Sequence, residues 1–543
     1  MSAADRRTFL KLGALAALGA RSIDAPAAAP PGVTLYNGIT LDAPWPPQTP
    51  LAIEPTAPPY LRHRPEIIPI DVGRQLFVDD FLIEASTLRR TFHQAKYYAG
   101  NPVLRPDCPW EQRDEAARAA RRPANPTAMV YSDGVFFDPS ARRFKMWYMG
   151  GYLESTCLAT SEDGLHWTKG PLPIVPGTNI VLEGPRDSST VWLDLADADP
   201  GRRYKMAAYR RPNVASLVSA DGIRWREIGS PFAAGDRSTM FYNPFRRVWV
   251  YSIRAGGGVG GPPRHRLYWE QEQFGGARWN GASASTWVGA DRLDPPRPDY
   301  REPPQLYNLD CAAYESVMLG LFTMWRGERA DREKPNDVCV GFSRDGFHWT
   351  RPDRRPFLPV SDSPGAWNYA NVQSAGGCCL LVGDELYFYV SGRSGRPGTS
   401  EPGVCTTGVA MLRRDGFASM AAADSGGGTL TTSLLRFGGE HLFVNADARD
   451  GEIRVEMLDA ERRPIAPFTI ERATAVRADG TRQLVRWESG DRVGDLRDRP
   501  VRFRFQVGGR ARLYSFWVSP SRTGTSRGFL AAGGPGLASH VDA

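Results

Sequence analysis

The sequence predicts an all-β chain, and three features of its 543 residues support this prediction. The 56 glycines and 45 prolines are many for a helical protein and typical of short strands joined by turns. A strand–turn–strand pattern recurs along the chain, and apolar and polar residues alternate with period two near its end. With 41% hydrophobic residues, the composition excludes global disorder and a small disulfide-stapled scaffold.

The N-terminal residues resemble a targeting segment. Residues 5–11 are similar to a twin-arginine export signal, and the apolar run 12–20 is too short to span a bilayer. We expect a signal peptide over 1–25, a Pro/Ala-rich leader over 26–73, and a periplasmic or secreted protein with no membrane anchor after cleavage. The alternative is a chance Arg-Arg pair before a buried apolar helix.

Internal repeats predict the architecture of the middle of the chain. The repeated unit contains an Asp-Gly turn and usually ends on Trp; its copies span 143–167, 203–225, 341–349 and, in degenerate form, 412–417. The widest gap between copies is about twice the others, and 235–254 supplies a missing unit. Short strands in groups of four form propeller blades, in which the Gly allows positive φ and the Trp packs between blades. We predict a five-bladed β-propeller catalytic domain over 74–421.

The pattern changes after residue 421. Segments 451–458, 501–507 and 511–518 alternate apolar and polar residues, which predicts a C-terminal β-sandwich over 429–518. The Gly/Ser-rich residues 519–543 are expected to form a flexible tail.

Four segments, 76–80, 109–111, 144–148 and 414–417, resemble an exported bacterial branch of the five-bladed propeller glycosidases. This superfamily includes invertases, levanases and arabinanases and is described as glycoside hydrolase family 32/43-like. The resemblance implies a propeller with an appended sandwich and the cleavage of glycosidic bonds in an oligo- or polysaccharide. The family's Asn-Asp-Pro-Asn motif is absent. Its Arg-Asp-Pro motif is matched only in part by Arg-Asp-Ser at 186–188, and its Glu-Cys motif is replaced by Tyr-Glu-Ser at 314–316. Fructan specificity and a retaining mechanism are therefore not implied.

Glycoside hydrolysis needs two carboxyl groups, one protonated and one ionised. Asp187 and Asp236 each stand seven residues before Asp194 or Asn243, which predicts equivalent innermost positions in neighbouring blades and a role as base or nucleophile. Glu315 lies beside an apolar strand, where desolvation would raise its pKa as a general acid requires. The alternative for each residue is a structural role, as a strand cap or a buried carboxylate.

Six further residues are candidates for substrate binding near the funnel. Acids and arginine can bond sugar hydroxyls, and aromatic rings can stack on sugars, although aromatic residues in propellers more often pack between blades. The candidates are Glu111, Trp110, Asp133, Asp310, Tyr314 and Arg237.

Cofactors and nucleic acid are not indicated. The seven His and seven Cys show no spacing typical of a metal site, so no metal or cofactor is predicted, although a structural calcium ion is compatible with the sequence. The net charge of +7 comes from basic residues spread among acids, which does not favour nucleic acid. The expected partner is a carbohydrate, with an anionic polysaccharide as one option. The alternatives to a hydrolase are a non-catalytic carbohydrate-binding propeller and a polysaccharide lyase using Tyr with Arg or His.

Overall fold

A computed structural model describes residues 32–257, 261–276, 283–300, 302–424 and 426–543, so the predicted signal peptide lies outside the described residues. The prediction of a mostly β chain is confirmed. The helices described are α1 (Pro59–Arg62), α2 (Glu115–Ala119) and 3-10 turns at Pro109–Gln112, Pro200–Arg202 and Gly494–Leu496. Within these ranges no helix has the length and apolar character needed to cross a bilayer.

Short strands precede the first large sheet. They are β1 (Val33–Thr34), β2 (Thr40–Leu41), β3 (Ile68–Pro69), β4 (Gln75–Leu76), β5 (Ile83–Ser86), β6 (Arg89–Phe92) and β7 (Lys96–Tyr97). Strands β1 and β2 form a hairpin, whereas β3 to β7 join sheets formed much later in the chain.

In the described part of the chain, antiparallel sheets follow one another through residues 128–413. The first contains β8 (Ala128–Met129), β9 (Val135–Asp138), β10 (Arg143–Gly150), β11 (Ser155–Ser161), β12 (Trp167–Thr168) and β13 (Ile180–Leu182). The second contains β14 (Ser189–Leu193), β15 (Tyr204–Arg210), β16 (Asn213–Ser219) and β17 (Arg226–Ala233). The third contains β18 (Thr239–Asn243), β19 (Val248–Ala255), β20 (His265–Gln271) and β21 (Ser285–Gly289).

Two more antiparallel sheets complete this region. The fourth contains β22 (Gln305–Glu315), β23 (Val317–Trp325) and β24 (Asn336–Ser343). The fifth contains β25 (Asn371–Ser374), β26 (Leu380–Val382), β27 (Glu385–Arg393) and β28 (Cys405–Arg413), and β7 lies on its edge.

The remaining strands are β29 (Ala418–Ala421), β30 (Gly428–Thr432), β31 (Leu435–Arg436), β32 (His441–Asp447), β33 (Gly451–Leu458), β34 (Asp479–Leu484), β35 (Arg502–Gly509), β36 (Arg512–Ser519) and β37 (Phe529–Leu530). Most of them build two further sheets, whereas β31 pairs with β3 and β37 joins the fourth sheet beside β22. One sheet has the order β34-β32-β36-β29-β6 with β4 beside β36, and the other has the order β33-β35-β30-β5. A separate apolar core lies between these elements and is shared with the early residues Leu35, Ile68 and Phe77.

The predicted boundaries before residue 96 need correction. Strands β4, β5 and β6 fall inside the predicted propeller range but pair in the C-terminal sheets, where they cover edges whose N–H and C=O groups would otherwise be unpaired. The described part of the predicted leader is also packed. Tyr36 stacks on Phe245 with ring centroids 4.2 Å apart, and its hydroxyl donates to the Ser316 carbonyl oxygen.

The predicted flexible tail, 519–543, is wrong. Strand β37 pairs with the end of β22, placing Leu530 opposite Tyr314 and Phe529 opposite Glu315. Ala532 is fully buried. Glycine-rich composition misled the prediction because Gly533, at φ +73°, serves a tight turn in an ordered segment.

The role predicted for the repeated Asp-Gly turn is confirmed in three copies, whereas in the degenerate fourth copy Asp415 and not Gly416 has a positive φ. Gly164, Gly222 and Gly346 have φ between +78° and +82°, which a residue with a Cβ adopts only at a cost. The Asp163 carboxylate accepts hydrogen bonds from the next two backbone N–H groups beyond the glycine. The indole of Trp167 packs edge-on against Tyr389 of the fifth sheet at 5.8 Å, so the motif joins neighbouring sheets.

Candidate active site

Polar side chains from four of the sheets meet around one point. Arg237, just before β18, lies with its guanidinium carbon 3.8 Å from the ring centroid of Tyr131, which follows β8. The Arg237 backbone N–H donates to Ser188 Oγ, next to Asp187, at 2.8 Å. We call Tyr131, Asp133, Asp187, Arg237, Tyr307 and Asp310 the central cluster.

Asp310, on β22, connects the fourth sheet to the first and fifth. Its Oδ2 accepts hydrogen bonds from Asn308 Nδ2 at 2.7 Å, from Ser374 Oγ at 2.5 Å and, more weakly, from Ser132 Oγ at 3.4 Å. Its other oxygen has no hydrogen-bond partner. Burial raises the pKa of Asp310 to about 6, although nearby Arg237 acts to lower it. A carboxyl group with this pKa can hold a proton near neutral pH.

Asp133 is a second buried acid in the central cluster. Its Oδ2 is 2.7 Å from Arg186 Nη1, and its Oδ1 has no partner. Burial raises its pKa to about 6 against the opposing effect of Arg186. Asp187, the next residue after Arg186, is half-buried and so is the more accessible carboxylate.

Arg237 is unusual among the buried arginines. Only 1% of its surface is exposed, yet none of its three guanidinium nitrogens has a hydrogen-bond partner. Burying a charge without hydrogen bonds is costly, so its stacking on Tyr131 and the nearby acids compensate only in part. The guanidinium N–H groups of Arg237 can therefore donate hydrogen bonds to a polar ligand.

Tyr307 enters the cluster through an irregularity that sequence reasoning missed. The pairing of β22 with β23 shifts register between Leu306 and Asn308, and a bulge of this kind redirects a side chain. Burial raises the pKa of the half-buried Tyr307, but Lys334, Arg393 and Arg237 outweigh this effect and hold it below its ordinary value. No local sequence signal marks such a bulge.

Glu315 does not belong to the central cluster, so its predicted role as general acid is corrected. It ends β22, and five residues of strand place it roughly 17 Å from Asp310. It has no exposed surface. Its Oε1 accepts from Arg414 at 2.7 Å, and its Oε2 accepts from Ser526 Oγ and the Arg74 backbone N–H. These bonds occupy both oxygens, so Glu315 is a structural carboxylate.

Two predicted substrate-binding residues also have structural partners. Buried Tyr314 donates to Asp415 Oδ1 at 2.6 Å, in the same region as Glu315. Buried Glu111 accepts hydrogen bonds from Tyr148 and Lys169. These contacts leave Tyr314 and Glu111 unavailable to a sugar.

Trp110 and Asp236 bond to residues outside the cluster. The half-buried Trp110 donates from Nε1 to Asn179 Oδ1 at 3.0 Å. Asp236 forms an ion pair with Arg254. The structure thus brings together four of the nine predicted residues, namely Asp133, Asp187, Arg237 and Asp310.

One group of possible metal ligands occurs in the described ranges, formed by Asp107, Cys108 and Glu111. The Lys169 ammonium lies 2.8 Å from Glu111 Oε2 and also contacts Asp107. Since a cation of the protein already neutralises these carboxylates, the group does not fit a metal ion.

No family model matches the sequence, and no curated protein matches it significantly. Solved structures similar to the chain include a glycosyl hydrolase from Bacteroides ovatus, with 14% identity, 62% of this chain and 96% of that chain covered, and a TM-score of 0.38. An N-acetylgalactosamine deacetylase from F. plautii in complex with blood group B trisaccharide has 15% identity, coverage of 57% and 96%, and a TM-score of 0.36. A fructofuranosidase from Schwanniomyces occidentalis complexed with fructosylnystose has 10% identity, coverage of 72% and 94%, and a TM-score of 0.31. These proteins act on or bind carbohydrates according to their names, but similarity at this level carries no argument about activity.

Proposed function

We propose that the chain is a glycoside hydrolase acting on an oligo- or polysaccharide. In this proposal the five successive sheets are the blades of a β-propeller, and the two later sheets form a β-sandwich. The observation that carries the proposal is the central cluster, in which carboxyl groups from three sheets surround the unbonded guanidinium of Arg237. Two of these acids have a pKa of about 6, and the third is accessible.

The different environments of the acids suggest their roles. Asp310, whose pKa burial raises to about 6, would donate a proton to the leaving-group oxygen, while half-buried Asp187 would act as base or nucleophile. Arg237 would orient the sugar through the hydrogen bonds that it does not make within the protein. Asp133, which is paired with Arg186, would lie near the reacting groups and act through its charge.

We expect Asp187→Asn to reduce hydrolysis about 10²–10⁴-fold, because the amide can neither accept a proton nor attack carbon. Product release from a panel of polysaccharides and aryl glycosides measures the effect. Asp236→Asn is the matched control, since Asp236 is paired with Arg254 beside the cluster, and it should retain activity within a few-fold. Undiminished hydrolysis by Asp187→Asn would contradict the assignment, and binding without product release by the wild type would favour a binding propeller.

The environment of Tyr307 supports a polysaccharide lyase as the second candidate. A tyrosine whose pKa is lowered by cations can, as the phenolate, remove the proton next to a uronic acid carboxylate; a C=C bond then forms as the C–O bond to the leaving sugar breaks, and the leaving oxygen takes up the proton from Tyr307. The same panel separates the candidates. Elimination yields unsaturated products that absorb in the ultraviolet and requires Tyr307, whereas hydrolysis yields saturated sugars and requires Asp187.

We also propose export by the twin-arginine pathway, on the basis of Arg6 and Arg7. The conservative double substitution Arg6→Lys and Arg7→Lys is expected to retain the full-length precursor in the cytoplasm. Cell fractionation with an antibody to the mature chain measures this, and an Arg21→Lys variant serves as the control. Unchanged periplasmic or extracellular protein in the double variant would contradict the proposal.

A further inference from the structure

Four cations lie near Tyr307. The Lys334 ammonium lies 5.7 Å from the ring centroid of Tyr307, and the guanidinium carbon of Arg264 lies 5.6 Å from the same centroid. Arg237 and Arg393 are close enough to lower the Tyr307 pKa. These cations precede or lie on strands of three different sheets, so the fold brings them together.

Three of these cations, Arg237, Arg264 and Lys334, differ from the buried arginines that are paired with acids. Arg326 and Arg344 each bind a carboxylate, Asp337 and Asp79 respectively. Across the ranges that the structure describes, no ion pair to a carboxylate is found for Arg237, Arg264 or Lys334.

The anions near the group do not neutralise it. Glu333 is paired with Arg393. Burial raises the pKa of Asp310 to about 6, so part of its negative charge is lost near neutral pH. Asp187 remains beside Tyr307 as an accessible carboxylate. Three cations without a carboxylate ion pair therefore face two accessible acids, Asp187 and the exposed Glu328 near Lys334, and the low-dielectric walls strengthen their field.

We propose that the central cluster binds a sugar unit that carries an oxyanion, either the carboxylate of a uronic acid or a sulfate ester. This inference rests on the proposed function, whose substrate class it specifies. The half-buried Lys334 and Arg264 would bind the anion first, since both are accessible, while Arg237 lies deeper. Guanidinium groups bind carboxylate and sulfate oxygens through paired N–H donors, and an ammonium adds a compact charge.

The inference can be tested by binding alone. Isothermal titration of the full chain in the Asp187→Asn background, where turnover is expected to be slow, would use glucuronate, galacturonate and glucose 6-sulfate as probes. Glucose and galactose are matched neutral controls, and inorganic phosphate tests a general anion site. We expect at least 10-fold tighter binding of one charged sugar than of its neutral counterpart and of phosphate, with weaker binding as salt increases.

Substitutions locate the binding site. Lys334→Met and Arg264→Met should each weaken binding of the charged sugar about 10-fold or more while leaving the neutral sugar unchanged. Arg292→Met is the control, because Arg292 is an exposed arginine paired with Glu54. Equal binding of charged and neutral sugars, phosphate binding as tight as that of the sugar, or unchanged binding in both variants would overturn the inference. Tight binding of a charged sugar oligomer that is never cleaved would instead support the inference and contradict the hydrolase proposal.

Discussion

Asp310→Asn is expected to abolish most of the hydrolysis and at the same time to stabilise the folded protein at neutral pH. The amide cannot donate a proton to a leaving group, so activity should fall about 10²–10⁴-fold. The amide oxygen can keep the hydrogen bonds from Asn308 and Ser374, which now reach Oδ2. The substitution therefore removes a proton donor while preserving the local structure.

The stability gain follows from proton linkage. The pKa of Asp310 is about 6 in the folded protein against an ordinary 3.8, so the native state binds more protons than the unfolded state between these values. Stability consequently falls as pH rises through this window, and above pH 6 the loss corresponds to at most about 3 kcal/mol. Asp310→Asn should recover part of this free energy at pH 7.5 and none of it near pH 4.

Asp415→Asn is the matched control, because the pKa of Asp415 is lowered and its effect on stability changes with pH in the opposite direction. Burial raises the pKa of Asp415, but Arg74 and Arg414 together with hydrogen bonds from Ser515 and Tyr314 bring it down to about 2. Its ionised form stabilises the folded state above pH 4, and this contribution is lost as pH falls toward 2. Urea denaturation at pH 4 and pH 7.5 measures both variants. A destabilised Asp310→Asn protein at pH 7.5, or one with wild-type activity, would show that Asp310 is an ionised structural group.

The sequence predicts the strands and the repeated turns of the central sheets well because its repeats report local geometry. Asp163 and Gly164 form their turn through short-range hydrogen bonds, and the same residue types recur at Asp221 and Gly222 with the same φ. Long-range pairings carry no such signal. Nothing in the composition of 519–543 or of β5 indicates that these segments complete distant sheets.

The candidate site is predicted only in part for the same reason. The sequence predicts equivalent positions for Asp187 and Asp236, but the structure places Arg237 rather than Asp236 two residues before its strand, as Asp187 is before β14. Glu315 has the expected apolar neighbours, but the arginines that bind it lie 99 and 241 residues away in sequence. Tyr307 depends on a register shift, which is a property of the strand pair and not of the residue.

Glu315→Gln is expected to destabilise the protein by about 3–5 kcal/mol, the range observed when one partner of a buried ion pair is removed. Glu315 links Arg414 of the fifth sheet's final turn, Arg74 before β4 and Ser526 before β37. The neutral amide removes one of the carboxylates around the two arginines, which then keep only Asp415 and Asp542, and its NH₂ group would face donors where an oxygen now accepts. The loss should therefore affect the junction between the central sheets and the C-terminal sheets.

The experiment compares stability with activity per folded molecule. Chemical denaturation should show the reduced free energy of unfolding, and limited proteolysis should cleave after residue 519 first, because β37 depends on this ion-pair cluster. Under conditions where Glu315→Gln is fully folded, its turnover should stay within a few-fold of wild type, unlike that of Asp187→Asn. A stable Glu315→Gln protein whose turnover falls by orders of magnitude would return Glu315 to the role of general acid, and Asp310 would then lose it.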